Sequence, residues 1–228
     1  VHGQAFPLSA ALQEAPSSPV QDGPGGRSAS AAVKAISDRS LALIALLLLL
    51  PLLLLIACLV CLDSPGPALF SQARHGRYGA LFKIRKFRTL RWEGEVDGRD
   101  QVRRRDSRVT RVGGFLRRTS LDELPQLWNV LMGSMSLVGP RPHPIGMRTE
   151  GMLCEEILPD YGDRLLMKPG LTGLAQINGH RGPASTVADL EARLADDLRY
   201  IAEWSLLLDL RIVLLTPYRL ILQRERAF

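Results

Sequence analysis

The stretch LALIALLLLLPLLLLIACLVCL, Leu41 to Leu62, carries no charge over 22 residues and constrains the chain more than any other feature. As a helix rising about 1.5 Å per residue it matches a hydrocarbon core of about 30 Å. A cleaved signal peptide fits poorly, because the run is too long and no small-residue cleavage site follows. Pro51 interrupts the middle, where it lacks a backbone donor and crowds the preceding turn, so a kink or break is expected there. Basic residues flank both ends: Lys34 and Arg39 before, and Arg74, His75, Arg77, Lys83, Arg85 and Lys86 after. Basic flanks stay on the cytoplasmic side. A helix broken at Pro51, each half reaching about 15 Å, dips in and returns with both flanks on that side, and is favoured over a simple span.

Residues 1–33, rich in Ala, Pro, Ser and Gly, read as a disordered tail or a cloning remnant; 34–62 form the membrane segment and 63–228 a catalytic-sized domain. The net charge of +6 points to anionic partners. The arginine run Arg103, Arg104, Arg105, Arg108 and Arg111 lacks the interleaved aromatics of a single-strand binder, which argues against nucleic acid. Three cysteines are too few for a disulfide framework. The CxxC spacing of Cys58 and Cys61 lies inside the leucine run and reads as apolar packing rather than a redox or zinc site.

After Asp63, turn signals precede an alternating run from Leu81 to Phe87 that predicts one or two short strands. The polar stretch RWEGEVDGRDQVRRRDSR reads as an exposed loop. Two short helical pieces follow, divided near Thr119 and Ser120, and glycine-punctuated chain runs through MKPGLTGLAQINGHRG. From Asp189 the helical period returns. Trp204, Leu206, Leu207, Leu210, Val213 and Leu214 make an apolar face bordered by arginines, suited to a membrane interface or to core packing.

RRTSLDELPQLWNVLMGSMSLVGPRP, Arg117 to Pro142, places Asp122 and Glu123 between arginines and a Gly-Pro-Arg-Pro turn. Two readings compete for the acids. Ser120-Leu-Asp-Glu123 matches a capping box, in which the carboxylates serve a helix start. Starting the helix at Asp122 instead puts Pro125 in the first turn, where its missing donor costs little, and leaves both acids at a helix mouth that attracts phosphate. Arg117, Arg118 and a conformationally restricted Arg141 then supply guanidinium forks. A carboxylate can attack phosphorus or hold Mg²⁺ that bridges phosphate oxygens.

DSPGPALFSQARHGRYGALFKIRKFRTL, DSRVTRVGGFLRRTSLDELPQLWNVLMGSMSLVGPRP and KPGLTGLAQINGHRG resemble the signature blocks of the monotopic phosphoglycosyl transferases, bacterial sugar transferases, over roughly residues 34–228. The resemblance implies transfer of a hexose 1-phosphate from a UDP-sugar to polyprenyl phosphate, with UMP released, at the cytoplasmic face of the bacterial inner membrane. It implies a membrane helix broken at Pro51, an Asp122 nucleophile that also holds the Mg²⁺ cofactor, and assistance by Glu123. Lys86, Arg88, Arg117, Arg141, Lys168, Gln176 and Asn178 match family positions near phosphate, nucleotide or sugar. Leu50 departs from the serine that many relatives carry before the proline. The C-terminal tail resembles the catalytic domain of larger members.

The expected fold is α+β and helix-rich: a monotopic membrane protein with a Pro-broken re-entrant helix, a small strand region and C-terminal interfacial amphipathic helices. Expected partners are polyprenyl phosphate, a UDP-sugar and membrane lipids; homo-oligomerisation stays open. The alternatives are a membrane-bound nucleotide-sugar phosphohydrolase, with water as acceptor, and a basic membrane-anchored binding module.

Overall fold

The computed structural model describes residues 24–91, 106–180, 182 and 184–222. The expected tail up to residue 23 and most of the polar loop, residues 92–105, lie outside the described residues.

Leucine and alanine favour a helix, and α1 runs unbroken from Pro24 to Asp63 with Pro51 inside it. It begins ahead of the Lys34 boundary read from the sequence, so residues 24–33 belong to the helix rather than to the tail. Two separate half-helices are not seen: helical secondary structure continues through Pro51. One stripe of α1 is core. Ala42, Ala45, Leu46 and Leu49 pack with Ile84, Leu127, Val130 and Met135. Farther along, Leu53, Ile56, Ala57 and Val60 pack with Phe87 and Leu116. These three- and four-residue steps trace one helical face. The opposite face is bare leucine, with Leu48 75%, Leu54 63% and Leu62 78% exposed.

Polar contacts fasten α1 to the same globular body near both ends. Lys34 Nζ donates to Asp209 Oδ2 at 2.6 Å and Ser136 Oγ to Asp38 Oδ2 at 2.5 Å. At the other end Asp63 Oδ2 accepts from the Val112 amide at 2.9 Å. The last carbonyls of a helix lack intrahelical donors. Here Arg88 donates to one of them and to the turn that follows: its Nη2 to Val60 O at 3.3 Å, Ser64 O at 2.7 Å and Gly66 O at 3.3 Å, and its Nη1 to Pro65 O.

Strands β1 (Leu69–His75) and β2 (Leu81–Phe87) form an antiparallel hairpin in register Leu69 to Phe87 and His75 to Leu81. Ile84 and Phe87, three residues apart and so on opposite faces of β2, are buried in separate clusters along α1. Helices α2 (Arg111–Thr119) and α3 (Gln126–Leu131) follow. Asn129 of α3 docks on the hairpin, its Nδ2 donating to Lys83 O at 2.8 Å and its Oδ1 accepting from the Arg85 amide at 3.0 Å. β3 (Ser136–Val138) pairs in parallel with β6 (Gly170–Thr172). Between them lie the small hairpin β4 (Arg148–Thr149) and β5 (Met152–Leu153), helix α4 (Cys154–Ile157) and a 3-10 stretch, Pro159–Leu166. After α5 (Leu174–Ile177), helix α6 (Val187–Glu203) buries Leu190, Leu194 and Tyr200. In α7 (Leu206–Leu222) Ile212 is buried, while Leu207 and Leu214 are 76% and 68% exposed. The chain is thus α+β and helix-rich, with its strands in small pairs.

Candidate active site

Ser120 separates α2 from the acid pair. It adopts φ 58°, in the left-handed region that side chains rarely occupy, and turns the chain sharply. Its Oγ is buried without a partner among the described residues and makes no cap hydrogen bond. The capping box therefore does not form. Asp122 and Glu123 lie in a single 3-10 turn, Leu121–Glu123, and α3 begins only after Pro125. Pro125 does take the place where a missing donor costs least, but the helix starts later than Asp122.

Pairing of α3 with β2 brings Lys86 to Glu123, Nζ to Oε1 at 2.8 Å. From the opposite side Arg141 reaches both carboxylate oxygens, Nη1 to Oε2 at 3.1 Å and Nη2 to Oε1 at 2.5 Å. Burial would raise the Glu123 pKa, but Arg141 and Lys86 reverse the effect and hold it well below the usual glutamate range. Burial lowers the Lys86 pKa despite Glu123, and Glu123 raises that of Arg141.

Asp122 is treated differently. Among the described residues no hydrogen bond or ion pair reaches its carboxylate. Burial, then repulsion by Glu123, push its pKa up to about 6 against the pull of Lys86, Arg117 and Arg141. Two adjacent carboxylates thus differ, one locked and ionised, the other open with its oxygens unclaimed. A residue so placed is a nucleophile or metal-ligand candidate. Among the described residues no group of three or more His, Cys, Asp and Glu side chains is built to hold a metal. The donor set still fits Mg²⁺, which commonly binds through one carboxylate plus substrate phosphate and water.

The residues singled out in the sequence separate into two groups. Lys86, Arg117 and Arg141 all act electrostatically on the acid pair. Arg88 is placed elsewhere: it is only 3% exposed, and its fork is taken up by carbonyls at and just past the end of α1. Arg118 is exposed, and no hydrogen bond or ion pair joins it to either acid among the described residues. Lys168 is influenced by Arg39, Arg77, Asp38 and Lys34, beside the start of α1, rather than by the acids. Gln176 donates to Leu171 O at 3.2 Å, and Asn178 binds Asp196 at 2.8 Å. These four are not brought to the carboxylates. Cys58 and Cys61 are free and exposed on α1.

Sequence reading missed the residues behind Arg141. Arg74 donates to Pro142 O at 3.4 Å, and Arg164, paired with Asp197, donates to Arg141 O at 2.5 Å. No local motif marks them, because their partners lie far away in the chain. Close backbone contact completes the loop: a methyl group on Gly139 would meet the Lys168 carbonyl, and one on Gly170 the Gly139 amide. Beside Arg141 opens a cleft of about 140 Å³, with Tyr78, Pro142, His143, Tyr161 and Met167 in its walls.

A leucine-faced helix fused to the core, together with a half-buried acid pair flanked by cations, marks a membrane-associated enzyme. The chain belongs to the bacterial sugar transferase family, whose sequence model matches residues 29–223. It is 52% identical over 153 residues to the exopolysaccharide production protein PSS of Rhizobium leguminosarum bv. phaseoli, covering 67% of this chain and 76% of that one. Two UDP-glucose:undecaprenyl-phosphate glucose-1-phosphate transferases are also similar. That of Xanthomonas campestris pv. campestris is 44% identical over 84% of this chain and 39% of its own, and that of Escherichia coli (strain K12) 47% over 69% and 33%. The chain therefore matches less than half the length of those two relatives.

Proposed function

We propose that the protein transfers a hexose 1-phosphate, glucose 1-phosphate foremost, from a UDP-sugar to undecaprenyl phosphate and releases UMP, as a first membrane step of exopolysaccharide assembly. The observation that carries the reading is the unclaimed Asp122 carboxylate next to a Glu123 held by Lys86 and Arg141. The substrate names come from the relatives.

In the first step an Asp122 oxygen attacks the phosphorus that bears the sugar. The phosphoanhydride bond breaks, and its electron pair leaves with UMP. In the second, a phosphate oxygen of undecaprenyl phosphate attacks the same phosphorus; the acyl–phosphate bond breaks and the Asp122 carboxylate is restored. Splitting the exchange lets two anionic substrates use one nucleophile in turn. Arg141, Lys86 and Arg117 offset phosphate charge as it shifts. Glu123 keeps Arg141 and Lys86 oriented and sustains negative charge beside the nucleophile. Mg²⁺, held by Asp122 with substrate oxygens, would neutralise the diphosphate and improve the leaving group. The cleft beside Arg141 offers aromatic and proline faces to the rest of the donor.

The α1 contacts support a monotopic topology on the cytoplasmic face. Lys34, Asp38 and Asp63 all bind the same charged body, and the stripe between them packs on it. A helix standing across the bilayer would carry one of those contacts to the far side. The bare leucines of α1 and α7 supply the lipid-facing surface.

The experiment is UMP release from a panel of UDP-sugars by the membrane-embedded protein with Mg²⁺, with and without undecaprenyl phosphate. Sustained release only with the lipid, together with a sugar-bearing lipid diphosphate, is expected, against no more than a single UMP per enzyme without it. Lipid-independent release at the same rate would make the protein a hydrolase, and no release from any donor would reject the transferase reading.

A further inference from the structure

Arg164 lies in the 3-10 stretch Pro159–Leu166 and is 4% exposed; Asp197, on α6, is 1% exposed. They pair at 2.7 Å. A buried ion pair of this kind adds little net stability, because desolvation offsets the attraction, so its consequence is sought in what else the pair holds. The Arg164 fork supplies one. Beyond Asp197, Nη2 donates to the main-chain carbonyl of Arg141 at 2.5 Å, while Nη1 reaches the Tyr161 hydroxyl at 3.3 Å and the His143 ring. Buried and surrounded by Arg164, Arg193, Arg74 and Arg141, His143 stays neutral and keeps an acceptor for that contact.

We infer that Arg164, oriented by Asp197, is a positioning residue that holds the Arg141 main chain and thereby aims the Arg141 fork at Glu123. The inference rests on the phosphosugar-transfer reading for its catalytic meaning, but the geometry stands alone. Pro142 directly follows Arg141, and Arg74 holds its carbonyl only at 3.4 Å; the shorter Arg164 bond falls on Arg141 itself. Lysine cannot replace Arg164, since one ammonium cannot span acceptors on α6, the Arg141 loop and Tyr161 together.

The test uses the full membrane-embedded chain with Arg164→Lys and the near-isosteric Asp197→Asn, each checked for folding by thermal unfolding. Modification of Arg141 by phenylglyoxal is followed by peptide mass spectrometry, with Glu123→Gln marking the rate of an unclaimed Arg141. Both variants are expected to label Arg141 roughly fivefold faster than the parent, and Arg164→Lys to lower kcat about tenfold with a smaller change in KM. Should Arg164→Lys fail to fold, Asp197→Asn carries the same reading. Labelling at the parental rate in a folded variant overturns the inference, even if turnover falls. Faster labelling in a protein that releases no UMP would uphold the positioning role and reject the transferase reading instead.

Discussion

Arg141 grips Glu123 fork to carboxylate, Nη1–Oε2 at 3.1 Å and Nη2–Oε1 at 2.5 Å, although 18 residues separate them in the chain. Lys86 shares the Oε1 atom at 2.8 Å. Glu123 is therefore the hub on which the cations are hung, and Asp122 is spared from binding them.

Arg141→Lys keeps the charge and loses the two-point contact, so turnover is expected to fall by about two orders of magnitude, far beyond the effect of charge alone. Steady-state UMP release across donor concentrations measures it. Near-parental kinetics would show that the fork does not matter.

Asp122→Asn removes the nucleophile. Donor labelled in the sugar, with no lipid acceptor, should leave a phosphosugar on the parent but none on the variant by intact mass. The folded-state pKa, about 6, lies above the ordinary 3.8, so the ionised carboxylate burdens the fold fully above pH 6 and not at all well below 3.8. The variant is accordingly expected to unfold at higher temperature at pH 7, by on the order of 1 kcal/mol under a ceiling near ~3, with the gain fading at pH 4. A folded variant that still carries the label would assign the attack to another residue.

The same value sets a pH profile. The ionised nucleophile disappears as pH falls through about 6, so kcat/KM should drop roughly tenfold per unit below that point. Glu123→Gln removes the neighbouring negative charge, which lowers the Asp122 pKa and should move the acid limb to lower pH, on a slower enzyme. An acid limb that stays in place would mean that another group titrates.

Arg88→Gln tests the reassignment of that arginine to the end of α1. Losing charge-assisted bonds to buried carbonyls should cost about 2 kcal/mol or more, read as a lower unfolding temperature in detergent, while KM for the donor stays near parental. A large rise in KM without loss of stability would return Arg88 to the phosphate.

Topology is checked by labelling single cysteines in sealed vesicles, with Cys58, Cys61 and Cys154 replaced by serine. Ala31→Cys and Ser71→Cys, both at exposed positions, should react from the cytoplasmic side alone. Reaction from opposite sides would establish a span.

The leucine run, the β2 strand and the acid pair were legible because each is written in consecutive residues. What decides their use was not. Whether SLDE closes into a cap depends on Ser120 entering the left-handed region, which follows from how α2 and α3 pack and not from the four letters. Arg88 looks identical to a phosphate ligand in sequence, and only the return of the chain past Ser64 shows its partners. Arg164 and Asp197 pair across 33 positions without any motif. Pro51 announces a break that the surrounding helix absorbs.

The stripe on α1 bears on how this protein can be made and trimmed. Ala42, Ile56 and Val60 are 0%, 4% and 3% exposed, inside the same clusters that seat Ile84 and Phe87. A chain shortened to begin after Asp63 would lose one wall of both clusters and leave apolar floor open to water, so a soluble catalytic fragment is not to be had by deleting the anchor. Biogenesis inherits the same dependence: the two clusters close only once α1 has docked on the domain, so the anchor and the domain fold as one unit.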